Sequence, residues 1–151
     1  MENSIANVNS GSFFECKVRY ERVTEDGMNR KVTEPYIIKA YSFTEAETMM
    51  NEFIKPFTSG EFLISDIKRC KFSEIVEDKS GGTYYKCVMN YITLDEKSGK
   101  EKKIKNLVLV QASSVEEVIA NVKTYMKDSV CDYKVSKIEE TAIMDVCNEI
   151  D

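Results

Sequence analysis

The sequence GSFFECKVRY at residues 11–20 has a similar counterpart, GTYYKCVMNY, at residues 82–91. In the first copy every second residue from Phe14 to Tyr20 is apolar or aromatic, and charged residues stand between them. Because successive side chains of a strand point to opposite faces, this alternation predicts a strand with one buried face. Its recurrence predicts that the chain is a tandem repeat.

The residues after the first copy predict a β-hairpin followed by a helix. Turn residues at 24–27 lead into a second extended run over 31–41. Either Ser42 or Thr44 can then cap a helix with acidic residues in its first turn and an apolar stripe facing the sheet. Pro56 ends this helix, because proline lacks the amide donor that a helix interior needs.

The remainder of the first half predicts one long strand over residues 61–76. It contains a bulge, because the apolar phase slips between Ile64 and Ile67. The second half repeats the same steps at an offset of 71 residues, which becomes 72 from the second strand through the helix because its hairpin loop is one residue longer. Insertions that fall only in loops are typical of a duplication.

The predicted fold class is therefore α+β, a tandem duplication of a β-β-α-β unit with mostly antiparallel sheet and two packed helices. We expect a flexible tail over residues 1–12, a first repeat over 13–76, a linker over 77–83 and a second repeat over 84–151. Each repeat has about 64 residues, a size at which an isolated core is marginal. The expectation is one domain with a shared core and a pseudo-twofold axis.

Composition excludes several classes of function. A formal net charge of −5 argues against general binding to nucleic acid or to an anionic membrane. The chain has no histidine, which removes Ser-His and Cys-His catalysis and imidazole metal sites. Its five cysteines contain no C-x-x-C pair, which favours reduced thiols over a disulfide framework or a zinc site. Without a leader-like or membrane-spanning stretch, we expect a cytoplasmic protein that has no cofactor and no metal.

The two cysteines of the repeated strands, Cys16 and Cys87, fall on the apolar face and are predicted to be core residues. Basic residues are distributed unevenly, because all four arginines lie in the first half and lysines take their place in the second. Arginine is suited to bidentate contacts with phosphate or carboxylate. The predicted ligand-binding residues are Arg19, Arg30, Lys31, Arg69 and Lys17. The alternative is a solvated strand surface on which these cations pair with neighbouring glutamates.

Several segments of the chain resemble an uncharacterised domain-of-unknown-function family of Bacteroidetes bacteria, their mobile elements and phages. The segments are FECKVRYE (14–21), KVTEPY (31–36), SFTEAE (42–47), GEFLISDIKR (60–69), ITLDEKSG (92–99) and ETAIMDV (140–146). The resemblance implies a bacterial or phage cytoplasmic setting. It implies no catalytic residue.

Three classes of function remain open. The sequence favours a non-enzymatic binding protein that sequesters a phosphorylated small molecule, in the manner of the small phage proteins that hold nucleotide immune signals as an anti-defence measure; such a binder can be a homo-oligomer. The second class is a protein or nucleic-acid interaction module in phage replication or host takeover. The third is a metal-independent enzyme whose acid and base come from Glu, Asp, Tyr or Lys.

Overall fold

The computed structural model describes residues 11–58 and 60–147. The predicted tail over residues 1–12 lies almost wholly outside these described residues. The described part of the chain divides into two compact units, the first built from the chain up to Cys70 and from Ile143 onward, the second from Lys71–Ala142. It is α+β, with two helices and two mostly antiparallel four-stranded sheets.

In chain order, the first four elements and the last belong to the first unit, and the others belong to the second. The elements are β1 (Ser12–Val23), β2 (Asn29–Ala40), α1 (Phe43–Ile54), β3 (Phe62–Arg69), β4 (Glu74–Val76), β5 (Thr83–Leu94), β6 (Glu101–Ala112), α2 (Val115–Met126), β7 (Asp132–Glu140) and β8 (Asp145–Cys147). A 3₁₀ turn, Lys55–Phe57, follows α1 and contains Pro56, where the sequence predicts the helix end.

The strand order of the first sheet is β3-β1-β2-β8 and that of the second is β4-β6-β5-β7. In each sheet the long hairpin is antiparallel, and a short edge strand of three residues pairs in parallel with its second strand. The prediction of one strand over residues 61–76 is wrong, because the segment forms β3 in the first sheet and β4 in the second. Phe72 lies between β3 and β4 and is buried. Its burial explains why this segment has the apolar character that predicts a continuous strand.

The predicted bulge is confirmed and lies at Ser65. In the β1–β3 register Lys17 lies opposite Asp66 and Val18 opposite Ile64, which leaves Ser65 without a partner residue. The Ser65 hydroxyl donates to the Lys17 carbonyl at 3.4 Å. The extra residue restores the apolar phase of β3, so that residues on both sides of the bulge pack toward the helix.

Each unit packs one amphipathic helix on its own sheet. In the first unit Phe14, Cys16 and Val18 of β1 meet Met50 and Ile54 of α1 in a buried cluster. In the second unit β5, β6 and α2 build a cluster that contains Cys87, Met89, Val118 and Val122 among its members. Cys16 and Cys87 are both fully buried, which confirms their prediction as core residues.

Serine caps begin both helices. The Ser42 hydroxyl accepts a hydrogen bond from the Glu45 amide at 3.1 Å, and the Ser114 hydroxyl accepts one from the Glu117 amide at 3.2 Å. Of the two predicted caps for α1, Ser42 is therefore the one used. Both helices are 12 residues long, and nowhere in the described chain is a helix long and apolar enough to cross a membrane.

A hydrogen-bonded turn at Asp78 leads into β5. The Asp78 carboxylate accepts from the Ser80 amide at 3.1 Å, from the Ser80 hydroxyl at 2.6 Å and from the Asn121 side chain of α2 at 3.0 Å. These bonds, the one from the Ser80 hydroxyl foremost, lower the pKa of Asp78 to about 2. The Gln111 side chain closes the turn by donating to the Gly81 carbonyl at 3.0 Å.

Candidate functional site

The first unit has an open groove at the turn end of its hairpin. It has a volume of about 1010 Å³ and lies between the last residues of β1, the first residues of β2 and the segment that leads from α1 into β3. Its cationic lining residues are Arg19, Arg22 and Lys31, and its acidic ones are Glu21 and Glu61.

A strand edge forms part of this groove. The pairing of β1 with β2 continues to Val23, whereas its pairing with β3 stops at Tyr20. The edge of Glu21–Val23 on the β3 side thus lies beyond the end of the β1–β3 ladder. Side chains from both faces of β1 reach the groove around this edge, which is why Arg19 and Arg22 both line it although they point to opposite faces.

Arg19 is an exposed cation whose cross-strand partners are neutral. In the sheet register it lies between Thr33 of β2 and Leu63 of β3. No described carboxylate forms an ion pair with Arg19 or with Lys31. Lys31 lies directly across from Glu21, whereas both residues directly across from Arg19 are neutral.

Arg22 is held by a buried carboxylate. Glu34 is 8% exposed, and no other charged side chain of the described residues is buried. It accepts a hydrogen bond from the Tyr20 hydroxyl at 2.5 Å and lies 3.6 Å from the Arg22 guanidinium. Burial, and then the hydrogen bond to Glu34, raise the pKa of Tyr20 above its ordinary value.

Apolar side chains complete the lining. Phe57 in the 3₁₀ turn is 70% exposed and Leu63 at the start of β3 is 60% exposed, while Tyr20 and Phe62 are half-buried beside them. Exposed aromatic surface next to arginine is the combination that binds the ring of a phosphorylated aromatic ligand.

The five predicted ligand-binding residues do not lie in a single site. Arg19 and Lys31 lie together in the groove. Lys17 lies on the same face of β1 as Arg19 but does not line the groove. Arg30 forms an ion pair with Asp26 in the hairpin turn, where its Nη2 lies 2.9 Å from Oδ2. Arg69 is separate from all of these.

Arg69 stacks on two aromatic rings on the helix-covered side of the first sheet. Its guanidinium lies 5.4 Å from the centre of the Phe14 ring and 5.6 Å from that of Phe43. The two rings meet edge to face at 4.9 Å. Arg69 thus contributes to the packing of β3 against α1 through cation–π contacts.

A family model covers nearly the whole chain, from residue 12 to residue 149, and its description is a domain of unknown function, DUF4494. The chain belongs to the DUF4494 family. No match was found among curated proteins or among solved structures. The DUF4494 match includes every described strand and helix of both units, so the fold set out above is that of the family domain.

Two residues that line the groove of this DUF4494 chain were not predicted from the sequence. Arg22 is one of the four arginines of the first half, but it is not among the predicted ligand-binding residues; it reaches the groove because β1 continues beyond the end of its pairing with β3. Phe57 continues the apolar stripe of the helix and was assigned to the core, but the 3₁₀ turn leaves it exposed. Glu34 carries no local signal, since a charged residue in a strand ordinarily faces water.

Two further kinds of group in the DUF4494 chain bear on its chemistry, the buried thiols and the acidic side chains of the described residues. Burial raises the pKa of the Cys16 thiol to about 12 and also raises that of Cys87, so neither is a ready thiolate nucleophile at neutral pH. Within residues 11–58 and 60–147, no group of three or more acidic or cysteine side chains is placed to hold a metal ion.

Proposed function

We propose that the protein is a non-enzymatic binding protein and that the hairpin groove of its first unit holds a phosphorylated small molecule such as a nucleotide. The observation that carries this proposal is Arg19, an exposed guanidinium that lies in a groove, has neutral cross-strand partners and makes no ion pair with the described residues. A guanidinium of this kind is free to form bidentate hydrogen bonds with a phosphate.

The rest of the groove supports the same ligand class. Lys31 provides a second positive charge, and Arg22 is kept near the edge of β1 by Glu34. Phe57 and Leu63 offer apolar surface to a base or another ring. The volume of about 1010 Å³ is at the upper end of the range for sites that bind small molecules.

Thermal unfolding in the presence of nucleotides tests the proposal. The probes are mono-, di- and cyclic nucleotides of adenine and guanine, with inorganic phosphate as a reference. A ligand that binds only the folded chain raises Tm in a concentration-dependent way. Arg19→Ala should weaken binding about tenfold to hundredfold, the usual effect of losing a hydrogen bond to a charged partner.

Arg69→Ala is the matched control. It removes the same guanidinium from the same sheet but outside the groove, so it should leave the ligand affinity unchanged. Equal loss of binding in the two variants would contradict the groove assignment, and turnover of the bound nucleotide would contradict a non-enzymatic role. Absence of any Tm shift with every probe would contradict the ligand class.

An interaction module for protein or nucleic acid is the second candidate function. It is favoured by the open shape of the groove, since small-molecule sites usually enclose most of their ligand. Under this alternative no nucleotide raises Tm, whereas an oligonucleotide or a defined peptide does. The proposed biological setting for both candidates is the one that the family resemblance implies: a phage or mobile element in the host cytoplasm, with the first candidate acting against nucleotide-based defence.

We further propose that the two units arose by tandem duplication. The paired registers support this proposal: Cys16 lies between Tyr36 and Ile67, and Cys87 lies between Val108 and Ile138, which are the same positions at offsets of 71 and 72 residues. The bulge at Ser65 recurs at Ser136, whose hydroxyl donates to the Val88 carbonyl at 3.4 Å. A pseudo-twofold relation between the halves, a shared core and a homo-oligomer stay predictions.

A further inference from the structure

Two five-residue segments of the chain have the same pattern and the same kind of environment. They are FSEIV at residues 72–76, which contains β4, and IMDVC at residues 143–147, which contains β8. Each begins with a buried apolar residue, continues through an acidic residue and ends with two apolar residues. The segments are 71 residues apart, so they occupy corresponding places in the two halves of the sequence.

Each segment adds a parallel strand to the free edge of a hairpin. In the first unit Tyr36, Ile37 and Ile38 of β2 lie opposite the three residues of β8. In the second unit Val108, Leu109 and Val110 of β6 lie opposite the three residues of β4. Ile37 and Leu109, the central residues of the two edges, are both fully buried.

The backbone contact just before each strand is also the same. The Met144 amide donates to the Pro35 carbonyl at 2.9 Å, and the Ser73 amide donates to the Leu107 carbonyl at 2.9 Å. Val146 and Cys147 are buried, and Cys147 belongs to the core cluster of the first unit. Backbone pairing along an edge with buried alternate side chains is the way in which sheets bind extended peptides.

The strand that pairs with the edge of β2 or of β6 is not the next strand in the chain after that hairpin and its helix. The next strands, β3 and β7, pair instead with the first strand of their hairpins. The segment with β4 comes directly after β3 of the first sheet but completes the second sheet. The segment with β8 comes directly after β7 of the second sheet but completes the first. In both cases the edge accepts a strand that follows, in the chain, directly after a strand of the other sheet.

We propose that the edge of β2 is a strand-acceptor site, that residues 143–147 are its ligand, and that a second copy of the chain can supply this ligand to give a strand-exchanged homodimer. Exchange replaces each contact by an identical one, so it costs little beyond association itself. The equilibrium between closed monomer and exchanged dimer then depends on two concentrations. A high protein concentration favours the dimer, and a high effective concentration of the tethered strand favours the monomer.

The connection that would open is short. Thr141 is the last residue anchored in the second unit, where its amide donates to the Tyr84 carbonyl at 3.0 Å. The Met144 amide is hydrogen-bonded to the Pro35 carbonyl of β2. Thr141 and Met144 are three residues apart, and a short hinge of this kind invites exchange between copies.

The acceptor site is tested first with the full chain carrying Val146→Asp, which places a charge at a buried position of β8. This variant should have a lower Tm than the wild type, because its own strand docks poorly. Adding a synthetic peptide of residues 141–147 under reducing conditions should restore Tm progressively with concentration, and the same peptide with Val146→Asp should not. If Val146→Asp does not fold, Val146→Ala serves as the milder host for the same titration.

Exchange between copies is tested by mixing unlabelled and ¹⁵N-labelled full-length chains at high concentration and measuring mixed dimers by native mass spectrometry. We expect mixed dimers for the wild type, their loss in Val146→Asp, and their dissociation by excess wild-type peptide. No rescue of Tm by the peptide would overturn the acceptor site. Rescue without mixed dimers, or mixed dimers that persist in Val146→Asp, would overturn exchange between copies.

Discussion

Replacing Tyr20 by phenylalanine removes one oxygen atom and with it the hydrogen bond to the buried Glu34. The carboxylate of Glu34 is 8% exposed and would keep only the Arg22 guanidinium, at 3.6 Å. Hydrogen bonds to charged groups contribute about 1.5–3 kcal/mol. Because Tyr20 is only half-buried and water can reach the vacated position, we expect Tyr20→Phe to lower the free energy of unfolding by about 1–2 kcal/mol.

Tyr91→Phe is the matched control in the second unit. Tyr91 has the corresponding place in its hairpin, but among the described residues the hydrogen-bond acceptor of its hydroxyl is the Met126 sulfur, at 3.8 Å. Thioether sulfur is a weak acceptor, so this variant should cost less than about 0.5 kcal/mol. The comparison separates the carboxylate contact from the general effect of removing a tyrosine hydroxyl.

Urea denaturation followed by far-UV circular dichroism measures both variants, since the chain has no tryptophan to report unfolding. With a slope of about 2 kcal/mol per molar urea, the expected loss for Tyr20→Phe lowers the midpoint by about 0.5–1 M. The raised pKa of Tyr20 means that its contribution is present below the ordinary value of 10.0 and is lost as the pH rises through the raised pKa. Equal midpoints for the two variants at pH 7 would refute the assigned role of the Tyr20–Glu34 bond.

Three further predictions concern stability. Gly81→Ala should cost about 1–3 kcal/mol, because a Cβ there would lie 2.6 Å from the backbone of β6, whereas Gly82→Ala, with nothing within 4 Å, should be neutral in the same urea titration. Stability should fall between about pH 4 and pH 2 as Asp78, whose pKa is lowered to about 2, takes up its proton. In Asp78→Asn the urea midpoint should therefore change less with pH over this range. An unchanged dependence of the midpoint on pH would contradict the hydrogen-bonded turn. Ser42→Ala should cost about 1 kcal/mol and Thr44→Ala almost nothing, and the reverse order would show that the cap is misassigned.

The sequence predicted those parts of the fold that depend on local periodicity. Alternation from Phe14 to Tyr20 and the helical stripe after Ser42 are both confirmed, because each element buries one face on a core that its own pattern defines. Even the bulge at Ser65 was visible as a change of phase. These features need no knowledge of which strand pairs with which.

The short strands β4 and β8 could not be predicted in this way. Three residues are too few to show a period, and both strands pair in parallel with partners that are distant in sequence. Their apolar residues extended the pattern of the preceding strand, so that β4 was merged with β3. Which sheet each short strand completes is a long-range property that local patterns do not encode.

The candidate site was only partly predictable for a related reason. Charge identified Arg19 and Lys31, which the groove brings together, but charge alone also selected Arg30, which is paired with Asp26, and Arg69, which is stacked on aromatic rings. Arg22 belongs to the groove because β1 continues beyond the β1–β3 ladder. Whether a cation is free or engaged depends on tertiary contacts, and these are absent from the composition of a strand.

Comparison of the two units indicates which groove residues are unnecessary for folding. Glu34 lies opposite Val18 in the first hairpin, and the residue at the equivalent position, opposite Met89, is the neutral Asn106. Burying a carboxylate carries a desolvation cost that a neutral residue avoids. Since the second unit forms the same hairpin without this charge, the fold does not require Glu34. Under the proposed function, Glu34 therefore has a role other than folding, which is to hold the Arg22 guanidinium beside the groove.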